Sequence, residues 1–176
     1  MKTKLRLILL AIMASLSFSA AALEVGDQAP AFSLEGTDGN TYTLEQFHGK
    51  QAIVIAWYPK AFTGGCTIEC KSLAQNGHLL KRLDVTYFMA SVDELEKNQE
   101  FAAETEADFP LLSDPSKTVA EAYDVLAFYG LPYRHTFYIG KDGKILFIDK
   151  EINAATSAED MAAKLEELGI PVRQAR

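Results

Sequence analysis

Ala52-Ile-Val-Ile-Ala-Trp57-Tyr-Pro59-Lys-Ala-Phe-Thr63-Gly-Gly-Cys66-Thr-Ile-Glu-Cys70 is the stretch from which the architecture of this chain is read. Its first six residues are continuously apolar and rich in β-branched side chains, the pattern of a strand covered on both faces, as in a parallel sheet between helices. Pro59, with no N–H to extend a ladder, stops that strand. Beyond it Ile68, Leu73, Leu79, Leu80 and Leu83 recur at helical intervals, which predicts a helix over residues 65–82 with Gly77 placed to kink or interrupt it. The only two cysteines of the chain, Cys66 and Cys70, stand where this helix begins.

Working outward, residues 85–92 read as a second buried strand, and residues 93–105 alternate acidic and apolar side chains in a helical pattern. Residues 109–112 read as a brief extended link. Asp114 and Pro115 then fit the cap and first position of another helix, where a missing N–H is harmless. Two strands around Gly140-Lys-Asp-Gly143, at residues 135–139 and 144–148, form a hairpin, and a last helix near residues 157–168 ends at Gly169 with Pro171 beyond. Upstream, residues 31–34 and 41–44 flank Gly36-Thr-Asp-Gly-Asn40, the signature of an N-terminal β-hairpin. The order predicts one α/β domain with a central mixed β-sheet flanked by helices, and no repeat or low-complexity tract divides it.

The first residues have a different character. Met1-Lys-Thr-Lys-Leu-Arg6, an apolar stretch over residues 7–18 and Ala20-Ala-Ala22 have the three-part layout of a cleaved secretory signal. The apolar stretch falls short of the ~20 residues that a membrane-spanning helix needs. The expectation is a signal peptide at residues 1–22, a single domain at 23–176, and a periplasmic or secreted location without membrane attachment after cleavage. Lys2, Lys4 and Arg6 are the only charges in the leader, so the remainder is more acidic still than the net −7 of the whole chain. An acidic chain without basic patches argues against nucleic acid or an anionic membrane as partner.

A domain of this size needs no disulfide to fold, so the cysteines call for a chemical explanation. A thiol reacts as its thiolate, which the unpaired N–H groups of a first helical turn favour. Cys66 fits that position. Thr63 either caps the helix through the Cys66 N–H or offers its hydroxyl to a ligand beside the sulfur. Cys70, four residues on, shares a helical face with Cys66 at a Cβ separation of roughly 5–6 Å, against the roughly 3.5–4.5 Å of a disulfide. A bridge therefore requires the turn to deform, and strain makes it easier to reduce.

Pro59, Thr63 and Cys66, in the spacing Pro-xxx-Thr-xx-Cys, resemble the active-site motif of peroxiredoxins, and Phe-Thr-Gly-Gly-Cys-Thr-Ile-Glu69 is similar to the bacterioferritin-comigratory, or PrxQ-type, branch of that AhpC/TSA superfamily. Arg134, in Arg-His-Thr-Phe, matches the family's active-site arginine. The resemblance extends from about Leu23 to Ile170 and includes Gly26-Asp-x-Ala-Pro30 near the start. It implies a thioredoxin-like fold and a thiol peroxidase acting on hydrogen peroxide or organic hydroperoxides, with no cofactor or metal. In it, Cys66 is the nucleophile that becomes a sulfenic acid, and Thr63 with the Cys66 N–H aligns the peroxide. Arg134 favours the thiolate and steadies the leaving oxygen. Pro59 shields the pocket, and Cys70 resolves the sulfenic acid into an intramolecular disulfide. A thioredoxin-like or other dithiol would be the reductant, and the protein a monomer or weak homodimer. The chain departs from many members in two respects: its cysteines are four residues apart rather than five, and Gly64 stands where proline is common.

Two other chemistries use the same cysteines. Cys-x-x-x-Cys on an exported thioredoxin-like fold resembles the copper site of Sco-type proteins, for which His135 is the candidate third ligand. Adjacent strand residues face opposite ways, so an Arg134 that faces Cys66 turns His135 away. His48 and His78 read as surface residues. The other alternative is a thiol-disulfide oxidoreductase on protein substrates, which lacks Cys-x-x-Cys and leaves Thr63 and Arg134 without a task. Trp57, Phe62, Phe128 and Tyr129 are candidates to line an apolar pocket at the site.

Overall fold

The computed structural model of the chain describes residues 22–174, so all but the last residue of the expected leader lies outside the described residues. β1 (Ser33–Gly36) and β2 (Thr41–Thr43) form the N-terminal hairpin, with Ser33 opposite Thr43. β3 (Ala52–Trp57) leads into α1 (Gly64–Asn76) and the short α2 (His78–Lys81). β4 (Val85–Ser91), α3 (Leu95–Thr105), β5 (Leu111–Ser113) and α4 (Thr118–Ala122) follow. The β6 (Thr136–Ile139) and β7 (Ile145–Asp149) hairpin and α5 (Ser157–Glu167) close the domain.

One seven-stranded sheet results, in the order β2-β1-β5-β4-β3-β6-β7. β3 and β5 pair parallel to β4, and the remaining neighbours are antiparallel, so the sheet is mixed as the sequence predicts. Every residue of β3 is buried. Because successive side chains leave opposite faces of a strand, Ala52, Val54 and Ala56 enter the core beneath α1, α3 and α5, while Ile53, Ile55 and Trp57 enter the core closed by the N-terminal hairpin and α4. The apolar run is continuous because both faces are covered.

Three elements differ from the sequence reading. The helix predicted over residues 65–82 is broken at Gly77, where a Cβ would meet the Tyr87 hydroxyl at 2.4 Å and the Leu73 carbonyl at 2.6 Å. The glycine is required by this close approach to β4. The link at residues 109–112 contains a strand, β5, whose three residues are all buried and which pairs with β1 on one side and β4 on the other. The helix expected to start at Asp114 and Pro115 starts instead at Thr118, after Lys117 in a left-handed conformation at φ 66°. Asp114, itself buried, still serves that helix from a distance, accepting the Ala120 N–H at 2.8 Å along with the Ser116 hydroxyl at 2.8 Å.

Candidate active site

The site is assembled where β3 gives way to α1. The Tyr58 N–H bonds the Ala90 carbonyl at 2.9 Å, continuing the β3–β4 pairing by one residue. Half-buried Pro59, with no N–H of its own, then ends it. Residues 59–63 turn the chain, with Phe62 at φ 63°, a left-handed conformation that ordinary side chains seldom adopt. Thr63 is extended (φ −101°, ψ 150°), and its carbonyl takes the first helical hydrogen bond, from the Thr67 N–H at 2.9 Å. The N–H groups of Gly64, Gly65 and Cys66 thus belong to the open first turn and give partial positive charge to the end of the helix where Cys66 stands.

Of the two roles open to Thr63, capping is not what its side chain does. Its hydroxyl donates to the Lys60 carbonyl at 2.9 Å and caps no helical N–H. A hydroxyl has one proton and two acceptor sites, so committing the proton to Lys60 leaves the oxygen as an acceptor.

Arg134 arrives from the segment that precedes β6. The residues on either side of it are fixed by backbone bonds, Tyr133 N–H to the Val125 carbonyl at 2.7 Å and Trp57 N–H to the His135 carbonyl at 2.8 Å. Its Nη2 donates to the Cys66 Sγ at 3.1 Å, and its Nη1 forms an ion pair with Glu69 Oε2. Gly65 makes room for this approach: a Cβ there would stand 3.2 Å from Nη2. The two acids beside Arg134 hold its guanidinium above its ordinary value despite the opposing effect of its own burial.

Glu69 was not legible as a site residue. It is fully buried, and its Oε1 has no hydrogen-bond partner. Burial pushes its carboxyl up to about 7, against the opposing pull of Arg134. Its sequence signals were its place at the end of the Phe62–Glu69 run and its spacing, three residues after Cys66 and one before Cys70, which puts a carboxylate on the apolar side of an otherwise core-facing turn.

Both cysteines are free thiols and both are buried. The Cys70 Sγ lies 3.1 Å from the Thr105 Oγ1 of α3, and burial pushes its thiol up to about 11. The structure therefore separates the two sulfurs chemically: Cys66 faces a cation and an open helix turn, Cys70 faces a neutral hydroxyl in a dry core. Pro59, Thr63, Cys66 and Cys70 come from one continuous segment, and Arg134 joins them across the sheet.

The proposed apolar lining is only partly assembled. Trp57 is fully buried in the opposite core against Tyr123, with ring centroids 6.2 Å apart. Phe62 packs edge-on against Phe101 at 5.2 Å, while Phe128 and Tyr129 are exposed on the surface. His135 stacks on Tyr133 at 5.6 Å while its neighbour Arg134 holds Cys66, so it is not a third partner for the two sulfurs. His48 and His78 are exposed, as expected.

Comparison with known proteins gives a consistent result. The chain matches the AhpC/TSA family over residues 25–148. It is 39% identical over 130 residues to the peroxiredoxin Bcp of Escherichia coli K12, covering 70% of this chain and 83% of that one. Peroxidoxin BcpB of Mycobacterium tuberculosis superimposes with a TM-score of 0.74 at 28% identity, over 82% of this chain and 97% of that one. A PrxQ structure from Xylella fastidiosa shares the fold, with a TM-score of 0.77 at 23% identity over 85% and 99% of the two chains.

Proposed function

Because the chain belongs to the AhpC/TSA family, as a peroxiredoxin of the Bcp/PrxQ branch and hence a thiol peroxidase, we propose that Cys66 is the thiolate that attacks peroxide and Cys70 the thiol that resolves it. The observation that carries this reading is the Arg134 Nη2 at 3.1 Å from the Cys66 Sγ, beside the open first turn of α1. The Cys66 thiolate attacks one peroxide oxygen, a sulfur–oxygen bond forms and the oxygen–oxygen bond breaks. Sulfur is oxidised to the sulfenic acid, the peroxide is reduced, and the departing alkoxide or hydroxide takes up a proton from water. Arg134 stabilises the charge that moves from sulfur to the leaving oxygen. Thr63, whose oxygen remains an acceptor, accepts a hydrogen bond from the peroxide O–H, and the Cys66 N–H donates to the peroxide's other oxygen. Pro59 covers the loop side of the site.

The Cys70 thiol then displaces water from the sulfenic acid to give a Cys66–Cys70 disulfide. On a regular helix the two Cβ atoms are too far apart for that bond, so the first turns of α1 unwind and Cys70 leaves Thr105. A dithiol of the thioredoxin type reduces the bridge. Residues 1–22 direct export, so the reductant is met outside the cytoplasm, and the enzyme works as a monomer or weak homodimer.

The test is to mix the reduced protein lacking residues 1–22 with one equivalent of hydrogen peroxide, quench by alkylation and map the products by mass. Fast oxidation that Cys66→Ser abolishes, ending in a Cys66–Cys70 bridge, is expected. Cys70→Ser is expected to stop at the sulfenic acid, trapped by dimedone. Oxidation no faster than that of a free thiol would overturn the reading. The N-terminal sequence of periplasmic material tests export.

A further inference from the structure

The loop that carries Pro59 and Thr63 is held by a residue that no chemistry above uses. Asp93 lies between β4 and α3, two residues ahead of that helix, where an acidic side chain ordinarily serves its own helix N–H groups. Here its Oδ2 accepts the Ala61 N–H at 2.7 Å instead. Its side chain is only 10% exposed, its own N–H is tied to the Ser91 hydroxyl at 3.2 Å, and its Oδ1 pairs with Lys97. A short, charge-assisted hydrogen bond from a side chain fixed on three sides is a strong anchor.

What it anchors is strained. Phe62, the next residue after Ala61, sits at φ 63°, where an L side chain crowds its own carbonyl. Such a turn persists only if its surroundings enforce it. The anchors on either side come from the same segment of chain. The Tyr58 hydroxyl donates to Asn98 at 2.7 Å, Ala61 donates to Asp93, and the Phe62 ring packs on Phe101. Of these only Asp93 grips the backbone beside the strained residue, and the residue that follows is Thr63, whose conformation opens α1.

We propose that Asp93 is a positioning residue for the peroxide reaction: by accepting the Ala61 N–H it holds the Phe62 turn in its left-handed form and so fixes Thr63 beside Cys66. The inference rests on the reading of Cys66 as the peroxide-attacking thiol. It predicts that the acceptor oxygen matters more than the charge, because Asp93 acts through a backbone N–H rather than on the sulfur.

The test compares Asp93→Ala, Asp93→Ser, Asp93→Asn and Lys97→Met with the wild type, each checked for folding by thermal melting. Two rates are measured for Cys66: oxidation by hydrogen peroxide, which needs Thr63 in place, and alkylation by iodoacetamide, which does not. Asp93→Ala and Asp93→Ser are expected to slow peroxide oxidation by about tenfold or more, the size of a lost charge-assisted hydrogen bond, without slowing alkylation. Asp93→Asn, whose amide oxygen still accepts, is expected to stay within about threefold of wild type, and Lys97→Met to be unchanged. If Asp93→Ala does not fold, the contrast of Ser with Asn decides the same question. A folded Asp93→Ala or Asp93→Ser with the wild-type peroxide rate, or Asp93→Asn as slow as either, would overturn the proposal. Hydrogen exchange at the Ala61 amide separates the two failures. Protection lost in Asp93→Ala with an unchanged peroxide rate sinks the positioning role alone. A wild-type Cys66 no faster than a free thiol sinks the functional reading and this role with it.

Discussion

One guanidinium serves two acids at this site, Arg134 reaching the Cys66 sulfur with one nitrogen and the Glu69 carboxylate with the other. Glu69 is the more costly of the two to keep charged, since it is fully buried and one of its oxygens bonds nothing. Its carboxyl rises from an ordinary 4.5 to about 7, chiefly through burial. An acid whose folded value lies above its unfolded one keeps a proton that the unfolded chain has already released, so rising pH between those values favours unfolding. The wild type is therefore expected to lose up to about 3 kcal/mol on this account between pH 4.5 and 7, and Glu69→Gln to lose none of it. Denaturant melts at pH 5 and pH 7.5 measure the difference, and equal pH dependence in both proteins would count against it. At this scale the sequence indicated, through a motif, that Pro59, Thr63, Cys66 and Arg134 belong together, and the fold brings Arg134 onto Cys66. The sequence was not readable for Glu69 and Asp93, because a carboxylate within or just ahead of a helical stretch has the same appearance whether it faces water, a distant guanidinium or a backbone N–H.

At the scale of elements, the break between α1 and α2 is a packing requirement. The Tyr87 side chain of β4 passes so close to Gly77 that any Cβ there would overlap its hydroxyl and the Leu73 carbonyl. Gly77→Ala is expected to destabilise the protein by about 2–3 kcal/mol, read as a lowered melting temperature. A melting temperature equal to wild type would mean that β4 and α1 part easily. Gly77 was recognisable in the sequence as an interruption, but its cause was not, since Tyr87 becomes its neighbour only once β4 is in the sheet. β5 illustrates the same limit. Three residues are too few for a period to register, and what makes Leu111–Ser113 a strand is the pair of neighbours it finds in β1 and β4. The delayed start of α4 has a comparable origin: Asp114 satisfies the Ala120 N–H across the turn that Lys117 creates, a geometry that local capping rules do not contain.

At the scale of the molecule, β3 is the partition between two cores. Val54 and Ile55 are adjacent in sequence and wholly separate in environment, one packed beneath α1, which carries both cysteines, and the other toward the N-terminal hairpin. Val54→Ala and Ile55→Ala are each expected to cost about 2–4 kcal/mol, and the double variant close to their sum, because the side chains share no partner. Strong non-additivity in chemical denaturation would show that the two cores respond as one. The double coverage of β3 was legible from its unbroken apolar run. The strand order was not, since nothing local brings β5 between β1 and β4 or β6 against β3.

The distance along the chain between Cys66 and the guanidinium that touches it bears on how the protein comes into being. Cys66 is made first, and Arg134 follows 68 residues later at the threshold of β6. Until β6 docks against β3, the Cys66 sulfur is without its cation. On the proposed reading, a partly folded chain therefore holds this thiol without the guanidinium, and fast reaction with peroxide waits on the docking of β6. Peroxide consumption during refolding would in that sense time the β3–β6 pairing.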